Sequence, residues 1–174
     1  MATTQQATAA EVVVVDYGLG NLRSVTRGLE RANAGVTITD DPSEFADADG
    51  IVLPGVGAFR EGMENAGPYR DALADAADRG QPIFGICLGM QLMAVALGGT
   101  VGAGEYGGYA DVDVEILDET DPLVGSLAPE TRVWASHADE VTALPDGFTC
   151  PATPQLCATE ARADQRAARC GGQW

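Results

Sequence analysis

The 174-residue chain contains no lysine; its ten basic residues are all arginine. That absence excludes a P-loop lysine, a Schiff base, a pyridoxal-phosphate anchor and a lysine general base. Histidine is nearly as scarce, with His137 alone. Four cysteines (Cys87, Cys150, Cys157 and Cys170) show no CxxC spacing, and one imidazole does not complete a Cys/His zinc site with them. No stretch approaches the ~18–20 apolar residues that cross a bilayer. The polar opening, residues 1–10, has neither the basic nor the apolar part of a signal peptide and reads as a disordered tail. A reduced, cytoplasmic protein is expected, with no membrane partner and no disulfide framework. Positive charge is also in deficit: 10 arginines face 26 carboxylates, a net charge of −16. Such a chain repels phosphate backbones, which excludes a nucleic-acid partner. The same balance suits a protein kept soluble in the salty cytoplasm of a halophile.

What is present is an ordinary apolar fraction, 45%, in a length that suits one domain with a real core. Glu11 to Asp16 holds four successive valines, a pattern for a strand buried on both faces. A turn cluster, Tyr17 to Asn21, leads to a helix over Leu22 to about Ala34. Strands follow at Val36–Thr39, Gly50–Leu53 and Gln81–Ile86, with a helix-rich stretch over Phe59–Arg79 and a helix over Leu88–Leu97. This alternation predicts an α/β fold with an open, mostly parallel sheet, right-handed crossovers and helices on both faces. After Gly99 the pattern changes. Asp111–Ile116 alternates carboxylate and apolar residues, as a strand with one wet face does, and Thr131–Ala135 and Glu140–Ala143 read as two short strands separated by polar turns.

The charge distribution sets the last 25 residues apart. Residues 1–149 hold 7 arginines and 24 carboxylates, whereas 150–174 hold 3 arginines, 2 carboxylates and three of the four cysteines. Apolar periodicity is weak there. The domain is therefore expected over 11–149, followed by an atypical C-terminal segment, 150–174. That segment is either a surface tail or, the preferred reading, one that does not carry a native C-terminal sequence.

The strongest chemical signal is Gly85-Ile86-Cys87-Leu88-Gly89, placed between a strand and a helix. It has the G-x-nucleophile-x-G form of a nucleophile elbow with cysteine in the serine position. So sharp a turn crowds its neighbours and needs small residues two positions either side. The helix N-terminus beneath it favours thiolate and oxyanion alike, and the Leu88 N–H would face a tetrahedral intermediate. The bland alternative is a buried cysteine packed as a small hydrophobe. Pro54-Gly55-Val56-Gly57 closes another strand, and sites in open α/β sheets form beyond such ends. Gly18-Leu19-Gly20 fails as a dinucleotide fingerprint because Arg23 stands where the third glycine belongs. His137, in Trp134 to Glu140, is either a base for Cys87 or a loop residue that shapes a pocket. None of this chemistry calls for a cofactor or a metal.

Asp16-Tyr17-Gly18-Leu19-Gly20-Asn21-Leu22-Arg23-Ser24, Leu53 to Phe59 and Gly85 to Gln91 together resemble the class I glutamine amidotransferases. More narrowly, residues 11–91 resemble the glutaminase subunit of imidazole glycerol phosphate synthase, of histidine biosynthesis. The resemblance implies a flavodoxin-like fold in which Cys87 attacks the side-chain amide of L-glutamine. Leu88 and the Gly55-Val56 peptide would line the oxyanion hole, and Gln91 would help to hold the substrate. Ammonia would pass to a cyclase subunit in a heterodimer.

Residues 85–149 are instead similar to the glutaminase subunit of archaeal GMP synthase, which feeds an ATP-pyrophosphatase subunit in purine biosynthesis. The segments concerned are Gly104 to Val112, Val133 to Val141 and Leu144 to Phe148. In that likeness Ser136 and His137 occupy a substrate loop. The chain thus reads as a junction of two relatives near Cys87, and because the first half carries the more distinctive motifs, the histidine-pathway partner is preferred, with GMP synthase as the alternative. The family completes a Cys-His-Glu triad with His-Pro-Glu near its C-terminus, after a segment like Gly171-Gly172-Gln173-Trp174; no His-Pro-Glu occurs in these 174 residues. The fold is therefore expected to be incomplete at its C-terminal end. Loss of a positioned base costs ~10²–10⁴-fold, so weak or absent turnover is expected. A non-catalytic glutamine-binding or regulatory relative, and a cysteine hydrolase using His137, stand as alternatives.

Overall fold

Four β-branched valines in succession favour extended backbone, and Val12–Val15 form most of the first strand, β1 (Glu11–Val15). The computed structural model describes residues 9–154, 161–164 and 169–172, with backbone alone for 104–110, 135–137, 154, 161–164 and 169–172. The expected tail lies, up to residue 8, outside the described residues.

Strand and helix alternate through the first half. After β1 come α1 (Leu22–Arg31), β2 (Gly35–Thr39), β3 (Gly50–Leu53), α2 (Phe59–Ala66), α3 (Arg70–Asp78), β4 (Ile83–Ile86) and α4 (Leu88–Ala96). Asn21 caps α1, its side chain accepting the Ser24 N–H at 3.2 Å. The helix-rich stretch resolves into two helices joined by a 3₁₀ turn over Gly67–Tyr69.

The second half is built differently. β5 (Thr100–Ile116) and β6 (Glu130–Ala143) form a long antiparallel hairpin, followed by β7 (Phe148–Pro154), β8 (Ala161–Asp164) and β9 (Arg169–Gly172). The two short strands expected at Thr131–Ala135 and Glu140–Ala143 are therefore one. Ser136 to Asp139 do not turn, because the segment pairs with β5, and irregularities between Ala103 and Gly108 absorb the mismatch. Residue 150 lies inside β7, so that strand crosses the boundary drawn from charge.

One nine-stranded sheet results, in the order β2-β1-β3-β4-β9-β8-β7-β5-β6. β2, β1, β3, β4 and β9 are parallel, and the remaining neighbours pair antiparallel. The crossovers from β1 to β2 and from β3 to β4 run in opposite directions, so right-handed connections put α1 on one face and α2–α3 on the other. The main core lies under α3 and α4, where Val13, Val15, Ile51, Leu53 and Ile83 meet Leu73, Met90 and Met93. A second cluster, Val114, Ile116, Val124 and Ala152, sits beneath the hairpin. Among the described residues no helix is long and apolar enough to cross a membrane.

Burial sets the expected response to truncation. Met93 is buried in the main core, whereas Ile38 on the edge strand β2 is exposed. Met93→Ala should lower unfolding free energy by about 3 kcal/mol and Ile38→Ala by no more than ~0.5 kcal/mol, read from denaturant midpoints at unchanged slope.

Candidate active site

Parallel strands deliver their C-terminal ends to one edge of the sheet, and three loops meet there. Residues 16–21 follow β1, Pro54–Ala58 follow β3, and Cys87 follows β4. Cys87 is the N-terminal flanking residue of α4, and its carbonyl accepts the N–H groups of Met90 at 2.9 Å and Gln91 at 3.3 Å. Its backbone sits at φ 52° and ψ −116°. A side chain in that region costs of order 1–3 kcal/mol and persists only where the surroundings fix it. The residue is partly exposed, not sealed in the core.

The surroundings explain how the turn is held. A Cβ on Gly85 would stand 2.5 Å from the Met90 Cα, and one on Gly89 would collide with the Leu53 carbonyl oxygen. Small residues two positions either side of Cys87 are thus a requirement of packing α4 on the ends of β3 and β4. Residues 88–94 are all buried, so the helix has no freedom to slide outward.

The Pro54–Gly57 loop lies against the same helix start. A Cβ on Gly55 would be 2.6 Å from the Gly89 nitrogen, the Leu88 Cβ and the Tyr17 hydroxyl alike. Gly55 is therefore brought against Leu88 and Gly89, the residues that directly follow Cys87. Leu88 buries its side chain against Gly55 and Gly62, and Val56, next along the loop, is 56% exposed.

Gln91 lies one turn into α4 and is buried, with its Nε2 donating to the Asp139 carbonyl at 2.7 Å. That bond draws β6 to the elbow helix. Ser136 and His137 are on β6, opposite Tyr109 and Gly108. Their side chains, and with them any pairing of His137 with Cys87, lie outside the described residues. On the other side of β4, the parallel strand β9 sets Gly172 level with Ile86, the residue before Cys87.

Sequence reasoning misses Tyr17 as a functional candidate. It is buried, its hydroxyl donates to the Pro54 carbonyl, and its pKa is pushed above the ordinary phenol range, first by burial and then by the charge of Cys87. The signal available is its place in a turn that follows a central strand. Gly20, in the same turn, approaches Pro54 so closely that a Cβ would be 3.2 Å away. The glycine pair that fails as a nucleotide fingerprint thus includes one needed for close packing. Among the described residues no group of three or more His, Cys, Asp or Glu is placed to hold a metal ion.

The sequence model of class-I glutamine amidotransferases matches residues 13–174. The chain is 57% identical over 138 residues to a glutamine-hydrolyzing GMP synthase subunit of Natronomonas pharaonis, covering 78% of this chain and 69% of that one. It is 76% identical over 84 residues to the HisH subunit of imidazole glycerol phosphate synthase from Halobacterium salinarum, covering 48% of this chain and only 38% of that relative. A crystal structure of a candidate GMP synthase subunit from Thermoplasma acidophilum superposes with a TM-score of 0.84 at 26% identity, over 96% of this chain and 84% of that one.

Two substitutions test the elbow. Cys87→Gly, which relieves the strained backbone, should raise unfolding free energy by roughly 1 kcal/mol in denaturant titration. Gly89→Ala should lower it by about 3 kcal/mol or more, because backbone and not a flexible side chain occupies the space.

Proposed function

This chain belongs to the class-I glutamine amidotransferases, and we propose that it is the glutamine-hydrolysing subunit of a two-part synthase. The observation that supports this most is the strained, partly exposed Cys87 at the start of α4, the helix end against which Gly55 of the Pro54–Gly57 loop packs. In this reading the Cys87 thiolate adds to the side-chain carboxamide carbon of L-glutamine, forming a C–S bond and an oxyanion. The Leu88 N–H and the Gly55-Val56 peptide stabilise that charge. Collapse breaks the C–N bond, the nitrogen takes up a proton and leaves as ammonia, and water then hydrolyses the glutamyl thioester to glutamate. Gln91, Ser136 and His137 hold the substrate, with Gln91 acting through the contact it makes with β6.

The partner is the finer question. The cyclase of imidazole glycerol phosphate synthase is favoured by the 76% identity to a HisH subunit. The ATP-pyrophosphatase subunit of GMP synthase is favoured by the longer match to the Natronomonas relative and by the structural likeness. Pull-down against each purified partner separates the two.

Chemistry is tested on the chain itself. The 174 residues contain no His-Pro-Glu, so in these residues by themselves a glutamine-analogue chloroketone should label Cys87 once per chain while steady-state glutamine hydrolysis runs ~10²–10⁴-fold below that of a family member that carries the motif. Mass spectrometry locates the adduct, and Cys87→Ala should abolish it. Turnover equal to that of a relative carrying His-Pro-Glu would refute the impaired reading; partner binding without labelling would favour a regulatory role.

A further inference from the structure

Tyr17 and Tyr69 hold the ends of two neighbouring strands by the same device. The Tyr69 hydroxyl donates to the Asp16 carbonyl at 3.2 Å, at the end of β1. The Tyr17 hydroxyl donates to the Pro54 carbonyl, at the end of β3. Tyr69 thereby fixes the residue immediately before Tyr17, and Tyr17 in turn reaches the loop beside the nucleophile.

The peptide plane carries this contact onward. Every described peptide is trans, and in a trans peptide the C=O and the N–H point in opposite directions. Holding the Pro54 carbonyl at Tyr17 therefore turns the Gly55 N–H away from it and fixes that plane. Gly55 is at the same time confined between the Tyr17 hydroxyl, the Leu88 Cβ and the Gly89 nitrogen, with room for no side chain. The next peptide, Gly55-Val56, then rotates only about bonds whose upstream end is clamped.

We propose that Tyr17 is a positioning residue: its hydroxyl, bonded to the Pro54 carbonyl, sets the aim of the Gly55-Val56 amide at the oxyanion formed on Cys87. The inference rests on the glutaminase reading above. Burial keeps the phenol protonated, so it remains a donor to the carbonyl across the working pH range. Phenylalanine at this position fills the same space but leaves a buried carbonyl without its donor.

The test compares two electrophiles on Cys87. With a glutamine-analogue chloroketone, sulfur adds to the ketone carbon and the C=O π pair moves to oxygen as an oxyanion; sulfur then displaces chloride from the neighbouring carbon, the first C–S bond breaks as the oxyanion collapses back to the ketone, and a thioether remains. Iodoacetamide alkylates sulfur by direct displacement of iodide and needs no oxyanion donor. Loss of one oxyanion donor costs ~10²–10³-fold; misaiming one should cost less. Tyr17→Phe should therefore slow chloroketone labelling about 10-fold, with the iodoacetamide rate unchanged. Replacing Tyr17 by 4-aminophenylalanine, which restores a para N–H donor, should recover most of that loss. Equal chloroketone rates in Tyr17→Phe and the parent chain would overturn the inference and leave the glutaminase reading standing. A parallel fall with both electrophiles, or no recovery with 4-aminophenylalanine, would also overturn it, since Tyr17 would then be packing alone. Failure of the parent chain to react with the chloroketone while iodoacetamide still labels it would overturn both readings.

Discussion

The site depends on one close approach, that of the first turn of α4 to the ends of β3 and β4. A backbone at φ 52° with a side chain attached is unfavourable by itself. It persists because Gly85 and Gly89 let the helix come within backbone distance of the sheet, and because seven successive residues of that helix are buried. The hydrophobic effect thus supplies the force that holds a reactive group in a poor conformation. Relaxing the turn would require lifting Leu88 to Ala94 off the core, at roughly 1.5–3 kcal/mol for each large side chain re-exposed. That sum exceeds the strain several times over, so the elbow is rigid.

Much of the parallel half is legible from the sequence, because each element there has its own local signal. Four valines mark a buried strand, Gly50–Leu53 ends at a proline, and glycines bracket Cys87. The hairpin is less legible. Ser136-His137-Ala138-Asp139 is polar and reads as a turn, yet it continues β6, since its pairing with β5 is a long-range choice that composition does not encode. Tyr17 escapes notice for the same reason. Its partner is 37 residues away, and no pattern in either segment announces the contact. For Gln91 the motif is visible, whereas its bond to a backbone carbonyl of β6 is not.

The joint between the two halves has a physical character that bears on the double resemblance. Gln91 meets β6 through the Asp139 carbonyl, Gly99 packs its Cα against the Ala143 and Ala94 carbonyls, and Thr100 meets Thr142 through hydroxyls 2.9 Å apart. Two of these three contacts end on main chain, which is common to every sequence of one fold. The joint is also packed: Val141 and Phe148 of the second half are buried in the same core as Leu73, Met90 and Met93, with Val101 and Leu144 against it. A parallel half with the character of one relative can therefore join an antiparallel half with the character of another only where those apolar side chains also fit, since core packing responds to single methylenes.

Magnitudes also separate the steps that this site can carry. Nucleophile and oxyanion loop both belong to residues 11–96, where no imidazole occurs. What that half offers Cys87 is the N-terminus of a nine-residue helix, whose dipole favours an anion by typically 0.3–1 kcal/mol. Against it stands a net charge of −16, which weakens any anion's hold, though salt confines that opposition to within ~10 Å or less. Forming one C–S bond asks little more, because a reactive carbonyl needs only a transient anion and an aimed amide. Release of ammonia is more demanding: the nitrogen must be protonated as its bond breaks, and water must be deprotonated to clear the thioester. Neither task falls to a helix end or an amide hydrogen. Covalent capture and turnover therefore draw on different parts of the molecule, and only the first is fully supplied by the elbow and its loop.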